Sequence, residues 1–378
     1  IFKIMMNNKF NSKKTLDQVI NATNFDLVEK NFDLEEQFRK DGFKGSATPV
    51  MQAKFDEKRL DLGAASPLGT PLVIYVEPSS FCNLACTFCP QFISPEAIHK
   101  QNMSFDLFKK MIDDLKNFPN KPKLMRFCGL GDSLFNKEFL EMVKYASKAN
   151  VVERLELISN GLLLNDKLIK ELPLHLDRII ISIEGLSNKE YVKFTTKKID
   201  FDGFVEKLGR LHKAEGDCIR HIKIHSAAIT NNTKKQFFYD TFGDICDEIS
   251  IENLVDLWPQ MTSNLGTDVG HRFDGGKRNK VDVCPQIFKS MQVNSDGRVL
   301  PCCIDWAGVN IIGDIKNEEM KDVWDGKVLK KLRNVHLKGE RFDIDPCKGC
   351  TMNEFSEKDN IDDMADVIYK KLNNITVV

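Results

Sequence analysis

From residue 71 to about residue 258 the apolar positions follow two alternating rhythms. Short apolar runs of strand type, "PLVIYVE" (71–77), "KLMRFC" (123–128), "RLELIS" (154–159), "DRIIISI" (177–183), "IRHIKIHSAAI" (219–229) and "EISIENLVDLW" (248–258), are separated by segments whose apolar residues recur at helical spacing. The first such segment, "SFDLFKKMIDDLKNF", places Phe105, Phe108, Met111, Ile112 and Leu115 on one stripe behind Ser104, which predicts a helix with Ser104 as its N-cap. "KEFLEMVKYASKA", "NDKLIKEL", "FDGFVEKLGRLHKA" and "TKKQFFYDTF" repeat the pattern. Six strands alternating with helices, the strands read as continuous apolar runs, predict an α/β fold with a parallel sheet covered by helices. In such sheets ligands sit at the carboxyl ends of the strands.

The flanks differ. Residues 1–70 carry two modest helical patterns, "TLDQVINATNFDLVEKNF" and "DLEEQFRKDGF", before the linker-like "GAASPLGTP", and are read as an extension without identifiable chemistry. After residue 270, "GHRFDGGKRNK" reads as a connector into a small segment, 271–378, organised around cysteines. Its end, "DNIDDMADVIYKKLNN", predicts an amphipathic helix with Ile361, Met364, Val367, Ile368 and Leu372 on one stripe, docked on the core or at a dimer contact.

Charge narrows the partners. Fifty-four basic residues against fifty-five acidic ones give no bias toward nucleic acid or an anionic membrane, and the basic clusters "NKPKLMR" and "GGKRNK" lack interleaved aromatics. A small substrate is the expectation. No apolar run reaches the roughly 20 residues of a membrane span, and the opening residues are too poor in apolar positions for a signal peptide, so a cytoplasmic protein is expected.

In that compartment the eleven cysteines are expected to be ligands or catalytic groups rather than disulfides. Three of them, Cys82, Cys86 and Cys89, follow the first strand as C-x3-C-x2-C with no fourth ligand in the same context; His99 lies ten residues beyond Cys89. A closed structural zinc site needs four ligands. A four-iron cluster held by three cysteines leaves one iron open to a substrate or cofactor.

The stretch "CNLACTFC" resembles the CxxxCxΦC motif of radical S-adenosylmethionine (SAM) enzymes, with Phe88 as the aromatic. The resemblance implies a (β/α)6 partial TIM barrel in residues 71–270. It also implies a [4Fe-4S] cluster on Cys82, Cys86 and Cys89 that binds S-adenosyl-L-methionine, and a 5′-deoxyadenosyl radical made with an external one-electron reductant such as flavodoxin or ferredoxin. "CGLGDSLF" resembles the family's Gly-rich loop, with Gly129, Gly131 and Asp132 at the SAM amino group. "ISNG" and "ISIEG" resemble the polar strand ends that hold the carboxylate and ribose, through Ser159, Asn160, Ser182 and Glu184. The family's arginine after the fourth strand is missing from "EYVKFTTKK", where Lys193 is the candidate replacement.

"CPQIFKSMQVNSDGRVLPCCIDW" and "DPCKGC" offer Cys284, Cys302 or Cys303, Cys347 and Cys350. Gly297 and Cys302 resemble the G-x4-C step of SPASM and twitch domains, which implies one auxiliary [4Fe-4S] cluster; a zinc ribbon is the alternative from ligand count alone. By resemblance the chain is an oxidoreductase acting on a small hydroxylated metabolite, a sugar or nucleotide-linked sugar, by dehydrogenation or epimerisation. A ribosomally made peptide is the second substrate class, and a non-catalytic iron-sulfur or zinc regulator the reading of another kind. His225 is a candidate base, Cys303 a candidate hydrogen donor, and Asp305 and Trp306 candidate substrate contacts.

Overall fold

The computed structural model describes residues 42–50, 60–255, 258, 280–355 and 359–375. The helical pattern of residues 15–32, nearly all of that of residues 33–43, and the connector through residue 279 lie outside them.

Ten strands form one sheet: β1 (Thr48–Pro49), β2 (Val73–Val76), β3 (Leu124–Phe127), β4 (Leu155–Ser159), β5 (Arg178–Ile183), β6 (Ile219–His225), β7 (Glu248–Glu252), β8 (Ser290–Val293), β9 (Arg298–Leu300) and β10 (Gly313–Asp314). Their order is β1-β7-β6-β5-β4-β3-β2-β8-β9-β10. From β2 to β7 the neighbours are consecutive in the chain and parallel. Crossovers of one hand between consecutive strands put every connecting helix on the same face and leave the other as a concave interior. The result is the partial barrel expected, open between its edge strands β1 and β10.

The helices of that outer layer are α1 (Phe105–Asp114), α2 (Phe139–Ala149), α3 (Asp166–Glu171), α4 (Asn188–Thr195), α5 (Phe201–His212) and α6 (Asn232–Phe242). Ser104 caps α1 as predicted, its side chain accepting from Leu107 N, and Asn165, Ser187, Asp200 and Asn231 do the same for α3, α4, α5 and α6. Each such cap is worth about 1 kcal/mol. Phe108, Met111 and Ile112 of α1 are wholly buried against the sheet.

The strands depart from the sequence reading in one respect. From β3 onward their inner face carries polar residues among the apolar ones: in β5, Ile179, Ile181 and Ile183 meet the helices, while Arg178, Ile180 and Ser182 face inward. Cross-strand register gathers the inward set into rows, Tyr75–Arg126–Glu156–Arg178 across β2 to β5 and Ser182–Lys223–Ser250 across β5 to β7. Only one face is covered by helices, so the other can keep ions provided they pair. Arg126 Nε donates to Glu156 Oε2 at 3.0 Å, Lys223 Nζ to Glu252 Oε2 at 2.6 Å, and Arg178 pairs with Glu248.

The C-terminal segment continues the same sheet. β8 runs parallel to β2 over Val73↔Ser290 to Val76↔Val293, and β9 and β10 follow antiparallel. Beyond them come α7 (Met320–Trp324), α8 (Lys327–Leu337) and α9 (Ala365–Leu372). Of the stripe predicted for α9 and its approach, Ile361 and Ile368 are buried and Met364 packs on Gly63, so this helix docks on its own chain.

Candidate functional site

Cys82, Cys86 and Cys89 sit on the loop that leaves β2. Its backbone is pinned at several points: Thr87 N donates to Phe194 O at 2.8 Å, Cys89 N to Cys86 O at 2.9 Å, and Gln91 Nε2 to both Ser80 O and Leu130 O at 2.8 and 2.9 Å. All three thiols are half-buried. Burial pushes Cys82 up to about 11 and Cys89 up to about 12; Cys86 rises well above the ordinary thiol range through burial first, then the charges of Glu184 and the two neighbouring cysteines. Three mutually repelling thiolates out of water need a strongly cationic partner, which is what an iron cluster provides. His99 is exposed and contributes its carbonyl, as acceptor for Ser80 Oγ at 2.8 Å, rather than its ring.

The predicted SAM layer is tied together by its own side chains. Asp132, fully buried, accepts from Ser159 Oγ at 2.9 Å, Asn160 N at 2.9 Å and Leu134 N at 3.0 Å. Asn160 Nδ2 donates to Asn83 Oδ1 at 2.9 Å and lies 3.9 Å from Cys82 Sγ. The structure therefore brings Asp132, Ser159 and Asn160 to the cysteine loop as one net, but it spends the Asp132 carboxylate inside the protein. The carboxylate thus fixes the end of β4 against the Gly-rich loop. A Cβ on Gly129 would lie 2.5 Å from Glu77 Cγ, and one on Gly131 would lie 2.1 Å from Ser79 O. Both glycines are required by close approach to the protein's own β2 loop.

Ser182 and Glu184 emerge from β5 on the inner face, two residues apart. Burial raises Glu184 to about 7, with Lys223 opposing and Glu252 adding to the rise. His225, at the end of β6, holds its Nε2 3.3 Å from Glu184 O and 3.5 Å from Glu184 Oε2, and Phe88 and Phe194 stand edge-on to its ring at 5.2 and 4.8 Å. Lys193 is exposed, its ammonium 4.7 Å from the Phe194 ring centre, and does not enter this layer.

In the C-terminal segment a small cavity of about 20 Å³ is lined by Cys284, Cys302, Cys347 and Cys350 together with Asp305, His336 and Arg341. Cys303 is absent from that lining; its charge couples to Arg126 and Cys128 on the barrel side and likewise to Cys284, Cys302 and Cys350 of the C-terminal set. Arg341 assembles the site: buried, it donates from Nε to Asp282 O at 2.9 Å, from Nη2 to Val281 O at 2.9 Å, and from Nη1 to Cys347 O and Cys350 O at 3.2 and 3.3 Å. Asp305 accepts from Val309 N and Asn310 N and so staples its own loop; Trp306 is half-buried. Among the described residues no three His, Cys, Asp or Glu side chains close on a point for a single metal ion. What the two sites offer is sulfur alone in sets of three and four, Cys82, Cys86 and Cys89 beside β2 and Cys284, Cys302, Cys347 and Cys350 around the cavity, the donor chemistry of iron-sulfur clusters.

The sequence reading did not single out Asn83, Glu77, Arg341 or His336. Glu77, the residue after β2, is raised to about 7 by burial and links the Gly-rich loop to the C-terminal segment, accepting from Leu130 N at 2.8 Å and Ser295 Oγ at 3.1 Å. A charged residue closing an apolar strand just before the cysteines was the available signal.

Comparison with known proteins adds the following. The signature of the Radical SAM superfamily matches residues 76–230, and that of the SPASM iron-sulfur cluster-binding domain matches residues 284–351. The tungsten-containing aldehyde ferredoxin oxidoreductase cofactor-modifying protein of Pyrococcus furiosus is 25% identical over 273 residues, 70% of this chain and 71% of the relative. The FeMo cofactor biosynthesis protein NifB of Methanocaldococcus jannaschii is 27% identical over 199 residues, 47% of this chain and 64% of the relative, so less than two thirds of that relative is spanned. Among solved structures, BtrN in complex with AdoMet and 2-DOIA covers 74% of this chain and 93% of its own at 20% identity and a TM-score of 0.50. Native anSMEcpe with bound AdoMet and Cp18Cys peptide covers 81% and 97% at 18% identity and a TM-score of 0.51. At these identities the structures speak for the fold. Among the described residues no helix is long and apolar enough to cross a membrane.

Proposed function

Because the chain belongs to the radical SAM superfamily and carries a SPASM iron-sulfur domain after its core, we propose that it is an oxidoreductase that removes hydrogen from a small hydroxylated metabolite. Cys82, Cys86 and Cys89 would hold the SAM-binding [4Fe-4S] cluster, with Ser159, Asn160, Ser182 and Glu184 around SAM. Cys284, Cys302, Cys347 and Cys350 would hold one auxiliary cluster. When bound, these groups supply a 5′-deoxyadenosyl radical that takes a hydrogen atom and an acceptor for the one electron the substrate then loses.

The observation that carries the reading is the polar inner face of β5 to β7. The Lys223–Glu252 pair and the Glu184–His225 pair offer donors and acceptors to hydroxyl groups, where an apolar peptide side chain would strand them. His225 is held neutral, lowered to about 4 first by burial. With its Nε2 turned to Glu184 O, Nδ1 has no partner among the described residues and is the lone pair free to receive a hydroxyl proton. Net loss of a hydrogen atom, a proton and an electron converts an alcohol carbon to a carbonyl. The name of the Pyrococcus relative, a protein that modifies a cofactor, favours a small molecule in the same direction.

The test begins with iron, sulfide and zinc per chain after anaerobic reconstitution, for the natural chain and for the Cys82→Ala/Cys86→Ala/Cys89→Ala variant. About eight irons falling to about four are expected; four irons and a zinc would remove the internal electron acceptor. SAM cleavage to 5′-deoxyadenosine should be lost in the variant, and sugars and nucleotide-linked sugars should stimulate it in the natural chain. Stimulation by peptides alone would replace the substrate class, and absence of cleavage under every condition would replace the enzyme reading with that of a regulator.

A further inference from the structure

The cavity that collects Cys284, Cys302, Cys347 and Cys350 also contains a polar group with nothing to bind. His336, on α8, is wholly buried and lines this cavity, and neither of its ring nitrogens has a hydrogen-bond partner among the described residues. A buried imidazole that satisfies neither nitrogen keeps the full desolvation penalty of both, a penalty the fold would shed by placing leucine there. The neighbouring polar side chains do not relieve it. Arg341 turns its N–H groups to backbone carbonyls, Asn310 Nδ2 donates to Asp345 O, and Asp305 is taken by two backbone N–H groups. The remaining acceptors that share this cavity with His336 are sulfurs, those of Cys284, Cys302, Cys347 and Cys350 and the sulfides of whatever they enclose.

We propose that His336 is the hydrogen-bond donor that tunes the auxiliary cluster, its imidazole N–H directed at a cysteinyl or inorganic sulfur. The inference rests on the reading that the four cysteines hold an iron-sulfur cluster. They already supply one ligand to each of four irons, so His336 is left as a donor and is a positioning residue rather than a ligand. A hydrogen bond to sulfur stabilises the reduced, more negative state and raises the reduction potential. When the cluster takes up one electron, no bond at His336 forms or breaks and its proton stays on the ring. The gain in electron affinity suits an acceptor that must draw an electron from a substrate radical.

The test uses the full chain in the Cys82→Ala/Cys86→Ala/Cys89→Ala background, where only the C-terminal site can hold iron. If that background holds no cluster, the reading of the cavity itself fails, and this inference with it. With about four irons present, His336→Leu should keep them and lower the potential, seen as a several-fold fall in the reduced fraction at fixed solution potential; tenfold is about 59 mV for one electron. His336→Gln, which keeps an N–H, should recover part of the shift. An unchanged potential with a full cluster in His336→Leu overturns the proposal. Should the leucine variant not fold, pulsed electron paramagnetic resonance of the reduced background protein with 15N-labelled histidine decides. Weak coupling to one imidazole nitrogen and to an exchangeable proton is expected, and either no nitrogen coupling or the strong coupling of a bonded ligand overturns the assignment.

Discussion

Gly131 is where a single atom decides the site. Its missing Cβ lets the Gly-rich loop pass beneath the cysteine loop, with Ser79 O and Phe81 O at 2.1 and 2.5 Å from where that carbon would be. Both obstacles are backbone carbonyls and cannot swing aside, so Gly131→Ala should cost about 3 kcal/mol or more and abolish SAM cleavage. Gly209→Ala, on α5 and with only Ile245 Cγ2 at 3.7 Å from its Cβ, is the control and should cost nothing or gain up to about 1 kcal/mol; equal losses of melting temperature in the two would refute the argument. His221 gives a titration at the same scale. Buried on β6 with Nε2 2.8 Å from Ser250 Oγ, it is lowered to about 3, first by burial and then by Lys223, Arg178 and Arg126. Below about pH 6.5 the unfolded chain takes a proton that the folded one refuses, so stability is full above that pH and falls as the pH drops toward 3. Between pH 7 and pH 5 the natural chain should lose about 2 kcal/mol more than His221→Gln in urea unfolding; parallel curves would show that His221 is protonated in place.

The elements show what a sequence can and cannot disclose. The six parallel strands, the Ser104 cap and the two cysteine sets were legible because each rests on local pattern: apolar period, a hydroxyl ahead of a helix, cysteine spacing. The inner-face charges were visible as letters, but their role was not. Arg126, Glu156 and Arg178 come from three strands, and only cross-strand register puts them in one row. Arg341 and His336 were likewise silent, since a buried arginine holding four carbonyls and a buried unpaired histidine look like surface residues in "VHLKGER". Asp132 shows how an element end is set by a neighbour: it grips the last residue of β4 and the one after it. Asp132→Asn would turn an amide donor toward N–H and O–H donors. SAM affinity should fall about tenfold or more with a loss of about 1–3 kcal/mol in stability, measured by equilibrium binding and thermal unfolding; unchanged affinity would show that the β4 end is set by other contacts.

For the whole molecule, the pairing of β8 with β2 is the decisive connection. Without it, β2 would be an exposed edge beside the cysteine loop. A chain ended at Val255 should therefore be mainly insoluble, and its soluble remainder should lack the parallel-sheet circular dichroism of the full protein; a soluble, folded core would show that the sheet needs no C-terminal cover. The same ladder acts as a caliper. One cysteine nest follows directly from the end of β2, and the other enters by way of β8, so both jaws are mounted on adjacent rails of one sheet. Electron tunnelling weakens exponentially with distance, and on the proposed function a substrate held between the two nests would meet a spacing set by backbone hydrogen bonds rather than by the breathing of two hinged bodies. Molecules should then be sorted by span, accepted when they bridge the jaws and passed over when they are shorter or longer.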